Sequence, residues 1–147
     1  MFLEFLLGMT LTIIGDSQGG VAVPYLRKDN IVIDYHQDGA RVSGTCSKNL
    51  DLTHDIVIVF LGSNHYDDIV SPNVDCVLKM VETSRKCIWV GPPLIRGKKW
   101  KHDNALKLKV KDYCDYISTQ DITDLPDGIH FGKNGINIVI GRIKGLL

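Results

Sequence analysis

The 147-residue sequence predicts an α/β protein, a three-layer α/β/α sandwich with a five-stranded parallel sheet of flavodoxin-like topology. Two observations carry that expectation. Short apolar runs alternate along the chain with segments of helical periodicity, the pattern of strands covered on both faces. Length and a hydrophobic share of 44% suit one core, so residues 1–147 form a single domain without linker, repeat or low-complexity segment.

The elements follow in order. LTIIG (11–15) is a buried strand, and GVAVPYLRK (20–28) a short helix with Pro24 near its first turn. IVIDYH (31–36) is the second strand, and RVSGTCSKNL (41–50) a loop with a short helix. DIVIVFLG (55–62) is the clearest strand, six consecutive apolar residues and then glycine. Ser71-Pro72 opens a helix as cap and first position, and Val74, Val77, Leu78 and Val81 fall on one face. KCIWVG (86–91) is the fourth strand. Asp103 or Asn104 caps a helix reaching about Tyr113, and DYIST (115–119) is the fifth strand. A final helix runs from about Lys133, with Ile136, Val139, Ile140 and Ile143 as its apolar stripe.

Composition narrows the function classes. Seventeen basic and seventeen acidic residues leave no global field to recruit nucleic acid or an anionic membrane. No run reaches the ~18 apolar residues of a membrane span. The apolar start, MFLEFLLGM, lacks a basic leading region and carries Glu4, so it does not read as a signal peptide. Cys46, Cys76, Cys87 and Cys114 form no C-x-x-C pair and sit in or beside apolar runs. They are expected to be reduced and packed, as in a soluble cytosolic protein. His36, His54 and His102 have no partners at ligand spacing, so neither a metal nor an organic cofactor is expected.

Ligands of a parallel α/β sheet gather at the carboxyl ends of its strands. There the chain places Gly15-Asp16-Ser17, the stretch from Gly39 to Gly44, Gly62-Ser63-Asn64, Gly91-Pro92-Pro93 and Asp127-Gly128-Ile129-His130. A serine hydroxyl needs a base to attack an ester, and a histidine oriented by a carboxylate supplies one. Ser17, His130 and Asp127 fit those roles. The oxyanion that forms needs donors aimed at it in advance. The N–H of Ser17, the N–H of Gly44 and the side-chain amide of Asn64 are the candidates, with Gly39 as the alternative to Gly44. Asp16 is expected to be structural, bonding loop amides.

These blocks resemble the SGNH hydrolases, also called GDSL-type esterases. IGDSQGG (14–20) is similar to their first block, RVSGT (41–45) to the second, FLGSNHYDD (60–68) to the third and DGIHFGKNG (127–135) to the fifth, with WVGPP (89–93) before it. Gln18 stands where the GDSL form has leucine. Gly15 to Gly19 also satisfy G-x-S-x-G, but a nucleophile after the first strand and a compact Asp-x-x-His do not match the α/β-hydrolases. The resemblance implies the SGNH hydrolase fold and a serine esterase acting through an acyl-enzyme. It implies Ser17, Asp127 and His130 as triad, and Ser17, Gly44 and Asn64 as oxyanion hole. Short acyl esters, foremost acetyl esters on carbohydrate, are the implied substrates.

His65 and Trp100 are candidate rim residues, the latter set in the basic run RGKKWKH (96–102), where it is expected to stack on a sugar. The competing reading is a catalytically silent module that binds carbohydrate or polyanion through that run. Free enzyme and component of an assembly such as a virus particle are both compatible with the sequence.

Overall fold

The computed structural model describes residues 8–64 and 72–147. Five parallel strands, β1 (Thr10–Gly15), β2 (Ile31–His36), β3 (Ile56–Phe60), β4 (Lys86–Pro93) and β5 (Asp115–Thr119), form one sheet in the order β2-β1-β3-β4-β5. The helices are α1 (Ser17–Leu26), α2 (Val42–Cys46), α3 (Pro72–Val81), α4 (Asp103–Val110) and α5 (Lys133–Leu146), with a 3-10 turn at Ile95–Gly97.

Both faces of the sheet are apolar, which is why the strands read as continuous hydrophobic runs. In β3, Val57 and Val59 point to one side and Ile58 and Phe60 to the other. The first side packs on Val74, Val77, Leu78 and Val81 of α3 and on Leu106 and Val110 of α4. The second packs on Ala22, Val23 and Leu26 of α1 and on Ile136, Val139, Ile140 and Ile143 of α5. Those sets are the helix faces the periodicity predicts. β2 is an edge strand, and Ile31, Ile33 and Tyr35 remain exposed on it.

Two boundaries differ from the sequence reading. α1 begins at Ser17 rather than at residue 20, because the Asp16 carboxylate accepts from the Gln18 N–H at 3.0 Å and caps the helix early. Pro24 therefore lies inside α1. His102 occupies the cap position of α4, while the Asp103 carboxylate accepts from Tyr116 (2.6 Å) and Ser118 (2.7 Å). The cap expected at Ser71 lies outside the described residues.

The cysteines are the larger correction. They are not reduced: Cys46 pairs with Cys76, and Cys87 with Cys114. Sequence spacing could not reveal the second bond, because strand register creates it. Ile88 lies opposite Asp115, so the preceding residues on β4 and before β5 sit side by side, with Cα atoms 4.5 Å apart. The first bond ties α2 to α3. Disulfides persist in oxidising compartments, so the cysteines do not support a cytosolic location. Among the described residues no helix is long and apolar enough to cross a membrane.

Candidate active site

β1 ends where backbone crowding demands glycine. Gly15 has φ +130°, and a Cβ there would lie 2.0 Å from the Phe60 carbonyl oxygen. The next residue, Asp16, donates its N–H to that oxygen at 2.8 Å, which locks the turn against β3. Ser17 then opens α1 at the carboxyl edge of the sheet.

A second loop comes from the other end of the chain. Asp124 accepts from the Gly135 N–H with its carboxylate (2.9 Å) and from the Gly132 N–H with its carbonyl (2.9 Å). It thereby satisfies the open start of α5 and fixes the loop before it. Within that loop Gly128 turns the chain at φ +79°. Asp127 Oδ1 accepts from the N–H groups of Ile129 (2.8 Å) and His130 (2.7 Å).

The two segments meet. Ser17 Oγ lies 2.9 Å from His130 Nε2, and His130 Nδ1 lies 2.7 Å from Asp127 Oδ2. This hydroxyl–imidazole–carboxylate chain joins residues 113 positions apart. The His130 backbone N–H, then its imidazole and the Ile129 N–H, hold the Asp127 carboxyl well below the usual carboxylate range. Asp127 is therefore anionic at working pH and favours the Nδ1–H tautomer, leaving Nε2 to accept from Ser17.

Gln18 contributes a contact that the sequence did not reveal. Its side chain is 3% exposed and donates from Nε2 to the Ile129 carbonyl at 2.6 Å. It ties the serine helix to the residue before His130. The only available signal was a polar residue where leucine is usual, and that says nothing about direction. Asp16, fully buried beside it, has its carboxyl pushed up to about 7 by burial, against the lowering contributions of Gln18, Ser63 and His130.

The other expected oxyanion donors follow β2 and β3 on the same edge. Asn64 Nδ2 donates to the Ala40 carbonyl at 3.2 Å, which ties the segment after β3 to the approach of α2. Gly44 is the third residue of α2, ahead of the first helical bond from Thr45 N–H to the Arg41 carbonyl. Its N–H thus has no acceptor within the helix. Gly39 sits in a turn at φ +75°. His65 lies outside the described residues. Trp100 is only 7% exposed and packs in the apolar cluster that holds Trp89 and Leu106, which leaves little ring face for a sugar. Its basic neighbours Arg96, Lys98, Lys99 and Lys101 are exposed. Among the described residues no group of three or more His, Cys, Asp or Glu side chains is arranged to hold a metal.

No family model and no curated protein sequence matches the chain. Solved structures do. The psychrotrophic esterase EstA from Pseudoalteromonas sp., in a form inhibited by monoethylphosphonate, superposes with a TM-score of 0.59 at 13% identity, covering 92% of this chain and 94% of its own. A serine-to-alanine variant of the esterase AlinE4 gives 0.58 at 15% identity, over 95% and 94%. What is shared at such identity is the fold, and it is shared over nearly the whole length of each chain.

Proposed function

We propose that this chain is a serine ester hydrolase with Ser17, His130 and Asp127 as its triad. One observation carries the reading: the 2.9 Å approach of Ser17 Oγ to His130 Nε2, backed by a carboxylate on Nδ1. His130 takes the Ser17 proton as Oγ attacks the acyl carbon. Asp127 holds the ring and stabilises the imidazolium that forms. His130 then protonates the departing alcohol, and water, activated by the same imidazole, releases the acid from the acyl-enzyme.

The tetrahedral oxyanion is assigned to the N–H of Ser17, the N–H of Gly44 and the amide of Asn64. Gly44 is preferred over Gly39 on physical grounds. The positive φ of Gly39 accounts for a glycine there. Gly44 is helical, and a Cβ built on it meets nothing within 4 Å, so neither backbone nor packing requires glycine. Close approach of a substrate is the role proposed for it. Asn64 has a second amide hydrogen beyond the one given to Ala40.

A fold shared with two esterases supports this class of chemistry. Small acyl groups, acetyl first, on a simple alcohol or a carbohydrate, are the proposed substrates. The test is a panel of nitrophenyl esters of increasing acyl length and acetylated sugars. We expect hydrolysis that is fastest for acetyl and falls with acyl length. Absence of turnover on every ester, with the fold intact, would leave only a binding role.

A further inference from the structure

Resting on the esterase reading, we propose that the cationic pocket at residues 95–101 binds a negatively charged group on the ester attacked by Ser17. The pocket encloses about 320 Å³ and is lined by Ile95, Arg96, Lys98, Lys99, Trp100 and Lys101. Its four cations share that segment with no acidic residue, in a chain whose net charge is zero. All four are exposed. Among the described residues, carboxylates pair with Lys86, Lys109, Arg142 and Lys144, and with none of these four. The carboxylates on the flank are engaged elsewhere, Asp103 by Tyr116 and Ser118, and Asp121 by Arg142.

The pocket is fastened to the catalytic loop. Arg96 donates its N–H to the Gly128 carbonyl at 2.6 Å, between Asp127 and His130 in sequence. A Cβ on Gly128 would lie 3.8 Å from Arg96 Cγ, so the arginine stem runs past the loop that carries the imidazole. Arg96 holds φ +53°, a left-handed conformation that costs a non-glycine residue energy and persists where surroundings enforce it. At the far end, the Trp100 N–H donates to Gln120 Oε1 (2.7 Å), and Gln120 Nε2 donates to the Pro92 carbonyl (2.7 Å). The charged segment is thus anchored at both ends, with its cations free to meet an anion. Such a cluster at the rim of a site raises the local concentration of anionic ligands. A neutral ester gains nothing from it.

The test compares 4-acetoxybenzoate, which carries a carboxylate, with neutral phenyl acetate. Replacing Arg96, Lys98, Lys99 and Lys101 together by Gln is expected to lower the ratio of their kcat/KM values by roughly tenfold at low ionic strength. Added salt should lower the wild-type ratio in the same direction. If the quadruple variant misfolds, Arg96→Gln alone should give a partial loss. A ratio unchanged by substitution and by salt overturns the pocket and leaves the esterase reading standing. A binding arm separates the two claims. In Ser17→Ala, calorimetry should find 4-acetoxybenzoate bound more tightly than phenyl acetate, a preference lost when the four cations are replaced. Equal binding contradicts the proposal whether or not Ser17 is the nucleophile.

Discussion

The two halves of the candidate site are held by different means. The proton-relay half is a continuous hydrogen-bonded unit: Ser17, His130 and Asp127 are linked by contacts of 2.9 and 2.7 Å, and Gln18 bolts the two loops together at 2.6 Å. The half proposed to hold the oxyanion comprises α2, a helix of five residues, and the segment after β3. Its described ties include the amide contact from Asn64 to Ala40, the Trp89 Nε1–H donated to the Leu61 carbonyl at 3.2 Å, the buried Val42 and the Cys46–Cys76 bond. The difference teaches that the proposed proton relay joins two distant segments through short hydrogen bonds, whereas the segments proposed to hold the oxyanion donors carry a covalent link to a neighbouring helix as well.

The strongest way to break that comparison is Asn64→Ala. Loss of an oxyanion donor should lower kcat by ~10²–10³ with the melting temperature little changed. An unaltered kcat would remove Asn64 from the chemistry and leave the second half of the site without its side-chain donor.

The disulfides sharpen the comparison further. They close loops of similar length, with sequence separations of 30 and 27, so each is expected to contribute about 3–4 kcal/mol of stability. Their positions differ. Cys87 and Cys114 are each 4% exposed in the core, whereas Cys46 sits two residues after Gly44 and Cys76 is exposed. Paired serine substitutions should lower the melting temperature in both cases. Only the Cys46 and Cys76 variant should also lower kcat, by roughly tenfold, through misplacement of Gly44. Equal kcat in the two variants would show that the bond does not position the donor.

The smallest effect concerns pH. Asp16 has a folded value of about 7 against 3.8 for the free group, so the fold favours its neutral form. The stability it contributes is complete below about 3.8 and is lost as pH rises through about 7. Asp127 is shifted the opposite way, and its contribution is present above 3.8 and lost in acid. Asp16→Asn keeps an oxygen for the Gln18 N–H and removes the titration. Thermal melts from about pH 5 to 8 should fall by a few degrees in the wild type and stay level in the variant. Parallel curves would mean that Asp16 does not titrate in this range.

Much of this was legible in the sequence because it depends on local pattern. The apolar runs gave the strands, and the stripes on α3 and α5 gave the faces they bury. Ser17 and the Asp127-x-x-His130 spacing each lie within one short segment, and a sheet with a defined edge brings such segments together. What was misread depends on long-range register or on which way a side chain turns. The Cys87–Cys114 bond follows from the pairing of β4 with β5, and spacing along the chain does not encode it. Trp100 sits among lysines in sequence, yet its ring packs inward while their charges face water. Gln18 gains its role only because Ile129 arrives from the other end of the molecule.

The central claim is that His130 activates Ser17, and a fluorophosphonate probe read by peptide mass spectrometry tests it most directly. The account predicts a single adduct on Ser17 in the wild type, none at that position in Ser17→Ala, and labelling slowed by at least ~10²-fold in His130→Ala. Modification of another residue, or labelling of Ser17 at the same rate without the imidazole, would contradict it.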